Sequence, residues 1–203
     1  MPSSWPDRRT AFADAAAWFV ATTALVGDRW SEPGLGEWDV RSLVGHTSRA
    51  LLTVEAYLDQ PAERVEVGSA VAYFLRARTM ADDATVAERG RQAGEALGTD
   101  PAAVAGIATR VLARVEGCDG EEVVTTIAGG MRLADYLPTR TFELVVHTAD
   151  LAAAIGVPAE PPAGPAAQAL ELATRLAVET GTAAPLLRAI TGREGLPAGW
   201  SVL

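Results

Sequence analysis

Two histidines and one glutamate have the residue types that bind zinc in proteins. Glu143 and His147 lie four positions apart in the stretch Arg-Thr-Phe-Glu-Leu-Val-Val-His-Thr-Ala-Asp, and this spacing places them on one face of a helix. His46, the only other histidine, lies on the core-facing side of an earlier predicted helix. Two imidazoles and one carboxylate form a known catalytic zinc set that leaves coordination positions open. These three residues therefore predict a site for a divalent metal ion, with zinc as the first choice.

Two further ionisable residues share the helix face of Glu143 and His147. Arg140 and Asp150 lie with them within an arc of roughly 80°, at 100° of rotation per residue. The rest of this helix is apolar nearly all round, which is typical of a buried helix, so we expect the charged stripe to point inward. From there Arg140 and Asp150 would orient the histidine or hold the glutamate.

The same spacings also fit purely structural roles, and spacing alone leaves these open. The chain has 26 acidic residues in 203, so an acid three or four positions from a histidine is common. Arg140 and Glu143 fit a simple helix ion pair, and Asp150 fits a hydrogen bond to a neighbouring helix. The single cysteine, Cys118, is expected to be a loop thiol, and its alternative role is a fourth metal ligand or a nucleophile.

The composition excludes several classes of protein. All 17 basic residues are arginine, and the chain has neither lysine nor asparagine, which excludes Schiff-base lysines, P-loop lysines and Cys-His-Asn triads. The net charge of −9 argues against a nucleic-acid partner. The sequence contains no Gly-x-Ser-x-Gly motif that would support a serine hydrolase.

The sequence predicts a cytoplasmic protein without a membrane partner. Arg8 and Arg9 precede an apolar stretch at 11–26, but Asp14 interrupts it, so an amphipathic helix is favoured over a secretion signal. No stretch reaches the about 18–20 uninterrupted apolar residues that a membrane span requires. A single cysteine cannot form an intramolecular disulfide, which suits a reducing compartment.

Helix patterns dominate the chain. Helices are predicted at 8–27, 39–60, 69–98 with a break near 81–85, 100–116 and 135–155, with shorter ones at 166–180 and 185–191. Asp39 and Asp100 are predicted N-caps, and Pro138 is expected within the first turn of its helix. Residues 122–127 and 131–134 predict one hairpin, which turns at the two glycines 129 and 130. The segment 27–36 is predicted to form turns.

These elements predict an all-α fold. Its main part would be an antiparallel four-helix bundle over residues 1–157, with a short hairpin before the fourth long helix. Residues 158–203 would form a proline-rich connector and a small helical C-terminal extension packed on the bundle. Bundles build metal sites from inward side chains on facing helices, so this fold would bring His46 to Glu143 and His147.

Three segments of the chain resemble one known family. Residues 30–46 are similar to its Pro-Gly-Trp-Thr-Val-x-Asp-x-Val-x-His opening of the second helix. Residues 131–156 contain Arg140, Glu143, His147 and Asp150, and residues 186–202 are similar to the C-terminal end of many members. On these segments the chain resembles the mycothiol-dependent maleylpyruvate isomerase family, within the wider DinB-like metal-binding superfamily.

This resemblance implies a metal site and a chemistry. The family's triad, a histidine followed later by Glu-x-x-x-His, maps onto His46, Glu143 and His147 without a mismatch. Its fold is a four-helix bundle that is often dimeric, so a homodimer is expected. A low-molecular-weight thiol, mycothiol in this family, becomes the nucleophile at the metal and reacts with a small electrophile. Asp150 is then the nearest acid or base, and Arg140 would hold an anionic substrate.

Two reactions and one non-catalytic role follow from the resemblance. The thiol adds to a cis double bond in the related isomerase, whereas it displaces a leaving group or opens an epoxide in the related S-transferases. Residues 158–203 leave little room for the separate α/β domain of the isomerase, so S-transfer is the broader prediction. The alternative is a non-catalytic helical module that binds a metal, a ligand or a partner protein. Its metal would be a closed structural zinc if Asp150 or Cys118 supplied a fourth ligand.

Overall fold

The computed structural model describes residues 3–80 and 83–203, and most of these residues are helical. Within these ranges the α-helices are α1 (Trp5–Thr23), α2 (Val40–Leu58), α3 (Ala70–Ala77), α4 (Asp83–Leu97), α5 (Pro101–Glu116), α6 (Leu133–Ala154), α7 (Ala163–Glu179) and α8 (Ala183–Ile190). Strands β1 (Pro33–Leu35) and β2 (Trp38–Asp39) form one antiparallel hairpin, and β3 (Val123–Thr126) and β4 (Gly129–Arg132) form another. None of the described helices is both long and apolar enough to cross a lipid bilayer.

Side-chain caps determine where the helices begin. Asp39 accepts a hydrogen bond from the Ser42 amide at 2.7 Å at the start of α2, which confirms the predicted N-cap. Asp100 does the same for α5, where it accepts from the Ala102 amide at 2.9 Å. α1 begins at Trp5, earlier than predicted, because Ser4 and Asp7 form a capping box.

The helical region predicted at 69–98 is two helices. α3 ends at Ala77 and α4 begins at Asp83; of the predicted break near 81–85, residues 81 and 82 lie outside the described residues. In the C-terminal part, α7 begins at Ala163 rather than at 166. Pro165 is compatible with this earlier start because the first turn of a helix tolerates proline.

The hairpin predicted before the last long helix is present, but its turn lies elsewhere. β3 and β4 pair from Val123↔Arg132 to Thr126↔Gly129, so the turn is formed by residues 127 and 128. Gly130 lies in β4, paired with Thr125, and glycine is required there because a Cβ atom would be 2.1 Å from the Arg64 carbonyl oxygen. The β1–β2 hairpin was not predicted, since its strands are only three and two residues long.

α6 contains Pro138 in its second turn, later than the first-turn position that the sequence predicts. Proline has no amide hydrogen, so the Ala134 carbonyl one turn earlier lacks its helical donor. Arg8 of α1 donates to that carbonyl and also pairs with Asp135 at 3.1 Å. A neighbouring helix thus supplies the hydrogen bond that the proline removes, and α6 continues to Ala154.

The long helices pack around one apolar core. α6 contacts α1 and α2, and α5 contacts the same two helices. α7 packs on α1 and α6 with Leu172 and Leu176 buried, and α8 contacts α7. The largest fully buried side chains include Phe12, Phe19, Leu43, Leu51, Tyr136, Leu137 and Leu144. This packing places α2 against α6, the two helices that contain the predicted metal ligands.

α4 lies so close to α2 that their backbones touch. A Cβ atom on Gly45 would lie 2.1 Å from the Gly94 amide nitrogen, and one on Gly90 would lie 2.7 Å from the Trp38 ring. The Trp38 indole Nε1 donates to the Ala87 carbonyl of α4 at 3.0 Å. α4 therefore covers the part of α2 that contains His46.

Candidate metal centre

His46, Glu143 and His147 meet where α2 contacts α6. One ligand atom from each residue lies within 4.8 Å of the other two. The His147 Nε2 and Glu143 Oε2 atoms are 3.2 Å apart, and the two imidazole rings lie edge to face with centroids 4.7 Å apart. Ligand atoms around a tetrahedral zinc ion, each about 2.0–2.2 Å from it, lie roughly 3.3–3.6 Å from one another. The structure thus brings the three predicted ligands close to coordination spacing.

His147 has a carboxylate on each ring nitrogen. Its Nδ1 atom is 3.1 Å from Asp150 Oδ2, whereas its Nε2 atom faces Glu143. The Nδ1–H group donates to Asp150, and this hydrogen bond orients the ring so that Nε2 is directed toward Glu143 and His46. Asp150 therefore lies behind the imidazole, and it is not among the residues that line the adjoining cavity.

The charges of Glu143 and His147 stabilise each other. Burial raises the pKa of Glu143, but the hydrogen bond from His147 and the positive charge of Arg140 outweigh it and lower that pKa below its usual value. Burial lowers the pKa of His147, but its hydrogen bonds with Asp150 and Glu143 outweigh this and raise that pKa. Both shifts favour the carboxylate form of Glu143 and the imidazolium form of His147 when no ion is bound.

His46 is the neutral member of the cluster. Burial, and next the charge of His147, lower the pKa of His46 to about 4. Its ring contacts that of Trp38 in a tilted arrangement, with centroids 4.4 Å apart and an angle of 33° between the ring planes. The Nδ1 atom is buried, and no hydrogen-bond partner for it is found among the described residues. A neutral imidazole with an unsatisfied buried nitrogen is a suitable ligand for a cation.

The donor set fits a divalent metal ion. Two imidazoles and one carboxylate match the ligands of open catalytic zinc sites. An ion would take the place of the proton on His147 Nε2, compensate the buried charge of Glu143 and give the two imidazoles a shared partner. Among the described residues, no further histidine, cysteine or acid belongs to this cluster. The geometry therefore does not support a closed zinc site with four protein ligands.

Arg140 faces the interior beside this cluster but does not form the helix ion pair that its spacing from Glu143 allows. It is 8 % exposed and lies over the rings of Tyr73 and Tyr136, at 5.3 and 5.0 Å from their centroids. Its Nη2 donates to the Tyr73 hydroxyl at 3.4 Å, and its Nε donates to the Thr139 hydroxyl at 3.0 Å. Two aromatic faces thus hold the guanidinium by cation–π contacts.

A cavity of about 530 Å³ adjoins the three ligands. Its walls include aromatic and aliphatic side chains from α2, α3, α4 and both hairpins, together with four arginines. The described residues that line it include His46, Glu143 and His147, and also Leu35, Trp38, Arg49, Tyr57, Tyr73, Phe74, Arg78, Val86, Arg89, Ile127, Arg140 and Leu203. The space is large enough for a small substrate beside the cluster.

Most of the residues in the cavity wall were not predicted from the sequence. Arg49 lies three positions after His46 on the same helix, so helical spacing was a usable signal for this residue. Tyr73, Phe74 and Arg89 lie on helices whose packing against α2 and α6 the sequence does not specify. No local pattern marks them as site residues.

Cys118 lies outside the cluster and the cavity. Its thiol donates to the Arg114 carbonyl at 3.3 Å, and its own carbonyl accepts from the Trp5 indole at 3.1 Å. Burial and the negative charge of Glu122 raise the pKa of the thiol to about 11. The predicted loop thiol is thus a poor nucleophile, and the roles of fourth ligand and nucleophile find no support in its position.

Comparison with known proteins agrees with the resemblance in the sequence. The family model of the mycothiol maleylpyruvate isomerase N-terminal domain matches residues 11–152, which is more than two thirds of the chain and includes all three clustered ligands. Neither the curated proteins nor the solved structures gave a significant match. On the length of the family match, the chain belongs to the mycothiol maleylpyruvate isomerase N-terminal domain family.

Proposed function

We propose that this protein is a metal-dependent enzyme that joins a low-molecular-weight thiol to a small electrophile. The observation that supports this most directly is the convergence of His46, Glu143 and His147 at the wall of a substrate-sized cavity. Family membership favours mycothiol as the thiol and a DinB-like antiparallel bundle of α1, α2, α5 and α6 as the scaffold. Zinc is the expected ion for two imidazoles and a carboxylate.

The ion, when bound, would lower the pKa of a thiol ligand and so supply a sulfur nucleophile at neutral pH. The protein's own residues do the positioning. Glu143 and His147 come from one helix and His46 from another, so the packing of α2 on α6 fixes the ligand geometry. Asp150 would act through His147 by holding its Nδ1–H, which makes Asp150 a positioning residue rather than an acid or base beside the substrate.

S-transfer is the reaction we propose first. The sulfur bonds to an electrophilic carbon, the leaving group departs with the bonding electron pair, and the thiol proton is released. Isomerisation requires only that the same sulfur add to a double bond and leave again after rotation. The described residues after α6 form two helices, α7 and α8, and no strand.

Metal analysis tests the site itself. We expect about one equivalent of zinc per chain after purification without chelators, and almost none in His46→Ala. Glu171→Gln, which changes an exposed acid on α7, serves as the matched control and should keep its metal. Loss of metal in the control, or metal retained in His46→Ala, would contradict the triad.

A conjugation assay tests the reaction. The protein is incubated with mycothiol and monochlorobimane, and the fluorescent conjugate is measured against a His147→Ala control. We expect conjugate only with the unaltered chain. A protein that contains zinc but forms no conjugate beyond the control would support the non-catalytic metal-binding module instead.

A further inference from the structure

The arginines of this acidic chain are distributed unevenly. Most of those outside the cavity are ion-paired with a nearby acid. Arg49, Arg78, Arg89 and Arg140 all line the cavity, and none has a carboxylate within ion-pair distance among the described residues. The chain as a whole has a net charge of −9, so these four arginines make the cavity a local region of positive charge on an acidic protein.

Arg140 is the buried member of this group. Its guanidinium contacts phenol and hydroxyl groups rather than an acid. The acid nearest along the helix face, Glu143, is within electrostatic range of Arg140 but forms no ion pair with it, and its negative charge is shared with His147. A charge withdrawn from water is costly unless a counter-charge accompanies it, so the cavity beside Arg140 favours an anionic occupant.

Arg49 provides a second cation in the same cavity. It is half-buried on α2, one turn after His46, and its side chain has no hydrogen-bond partner among the described residues. Burial and the nearby charges of Arg89 and Arg140 lower its pKa, as expected where cations crowd together without an anion. Two guanidinium groups can hold one carboxylate by paired, charge-assisted hydrogen bonds.

The remaining wall of the cavity is mainly apolar. Trp38, Tyr57, Phe74, Val86 and Ile127 contribute aromatic or aliphatic surface to it. A second carboxylate placed against these five side chains would lose its hydration without gaining a charged donor. Arg78 is exposed at the edge of the cavity, where water screens its charge, and the half-buried Arg89 already donates from its Nε to the Thr85 carbonyl at 3.2 Å. The wall therefore suits an apolar body better than a second charged group.

We propose that this cavity binds an organic acid that has one carboxylate and an apolar body, with the carboxylate held by Arg49 and Arg140 and the body against the aromatic wall. The role of this acid as the electrophile of the thiol reaction rests on the proposed function. Its binding to the cavity does not rest on that function, because the arginines and the apolar wall are part of the protein whether or not a metal ion is bound.

Calorimetric titration with three probes tests the ligand class. trans-Cinnamate has one carboxylate and an aromatic body, cinnamamide has the same shape without the charge, and fumarate has two carboxylates without the apolar body. We expect cinnamate to bind at least about tenfold more tightly than either of the others, which is the size of one charged hydrogen bond. Equal binding of cinnamamide, or tighter binding of fumarate, overturns the proposal.

The titration is done on the protein as purified and again after chelation of the metal. We expect cinnamate to bind in both states. If binding disappears with the metal, the carboxylate was held by the ion and the arginine site is wrong, although the triad stands. If binding persists in a protein that never contained metal, the arginine site stands although the proposed function fails.

Substitution of Arg49 tests which residues hold the carboxylate. Arg49→Gln should weaken cinnamate binding at least about tenfold and leave cinnamamide unchanged, while Arg49→Lys should bind cinnamate more tightly than Arg49→Gln because it keeps the charge, and less tightly than the unaltered chain because it lacks the planar set of donors. Arg193→Gln changes an exposed arginine outside the cavity and is the matched control. Unchanged unfolding temperatures would show that the variants fold. An equal effect of Arg49→Gln on both probes, or none, contradicts the proposal.

Discussion

At the scale of single residues, His147 is the side chain that links the parts of the site. Helical spacing alone placed Glu143 and Asp150 beside it, because residues three and four positions away share a face. Which nitrogen each acid contacts follows from side-chain conformation and was not predictable from the sequence. The structure gives Nε2 to Glu143 and Nδ1 to Asp150, so the two acids have different tasks.

Asp150→Asn should weaken zinc binding by about 10–100-fold without unfolding the protein, because it removes the carboxylate that fixes the tautomer of His147. The measurement is a competitive titration of the apoprotein with a chromogenic chelator. Asp14→Asn, at an exposed position on α1, is the matched control and should bind zinc normally. If Asp150→Asn binds zinc as tightly as this control, the orienting role of Asp150 is wrong.

Cys118 should react slowly with alkylating reagents. Its pKa of about 11 is roughly two units above the ordinary thiol value of 9.0, so at pH 8 it should be alkylated about 100-fold more slowly than a free cysteine. Only the thiolate reacts, so the rate should rise about tenfold for each pH unit up to about pH 10. Mass spectrometry after timed iodoacetamide treatment measures this. A rate equal to that of glutathione at pH 8 would show that the thiol is not shielded.

At the scale of elements, the presence of the long helices and of the β3–β4 hairpin was more predictable than the residues at which they begin, end or turn. Asp39 and Asp100 marked the starts of α2 and α5 correctly because caps are local. The position of Pro138 in the second turn of α6 depends on Arg8, which is distant in sequence and donates to the freed carbonyl. The turn of the β3–β4 hairpin was misplaced for a similar reason, since Gly130 is required by the passing carbonyl of Arg64 rather than by the turn.

The close contact of α2 with α4 makes Gly45 sensitive to substitution. Gly45→Ala should lower the free energy of unfolding by about 1–3 kcal/mol or more, because the new Cβ would lie 2.1 Å from backbone that cannot move independently. Gly106→Ala in α5 is the matched control. Its Cβ meets nothing within 4 Å, so this change should stabilise the protein by about 0.4–1 kcal/mol. Urea unfolding followed by circular dichroism separates the two, and equal effects would contradict the packing.

At the scale of the whole molecule, the site is assembled by the fold. His46 and Glu143 are distant in sequence, and only the packing of α2 on α6 brings them together. The sequence predicted this meeting because a helical chain of this length with inward polar residues favours facing helices. It did not predict the cavity wall, because α3, α4 and the two hairpins contribute to it through contacts that no local pattern encodes.

Zinc should therefore stabilise the entire fold. An ion that binds only when α2 and α6 are packed together adds about 2.7 kcal/mol to the free energy of unfolding at a free concentration 100 times its Kd. Thermal unfolding of the apoprotein with and without zinc measures the effect. His46→Ala should show no increase, and an equal increase in that variant would indicate binding elsewhere.

The indole of Trp38 lies 4.4 Å from the His46 ring and donates to the Ala87 carbonyl of α4 at 3.0 Å. The protein consequently contains an intrinsic fluorophore in contact with its proposed reaction centre. The fluorescence of Trp38 would change when the His46 imidazole binds a cation. Subtracting the spectrum of the Trp38→Phe variant would remove the signal of the other tryptophans. Occupancy of the centre could thus be followed in real time without any attached label.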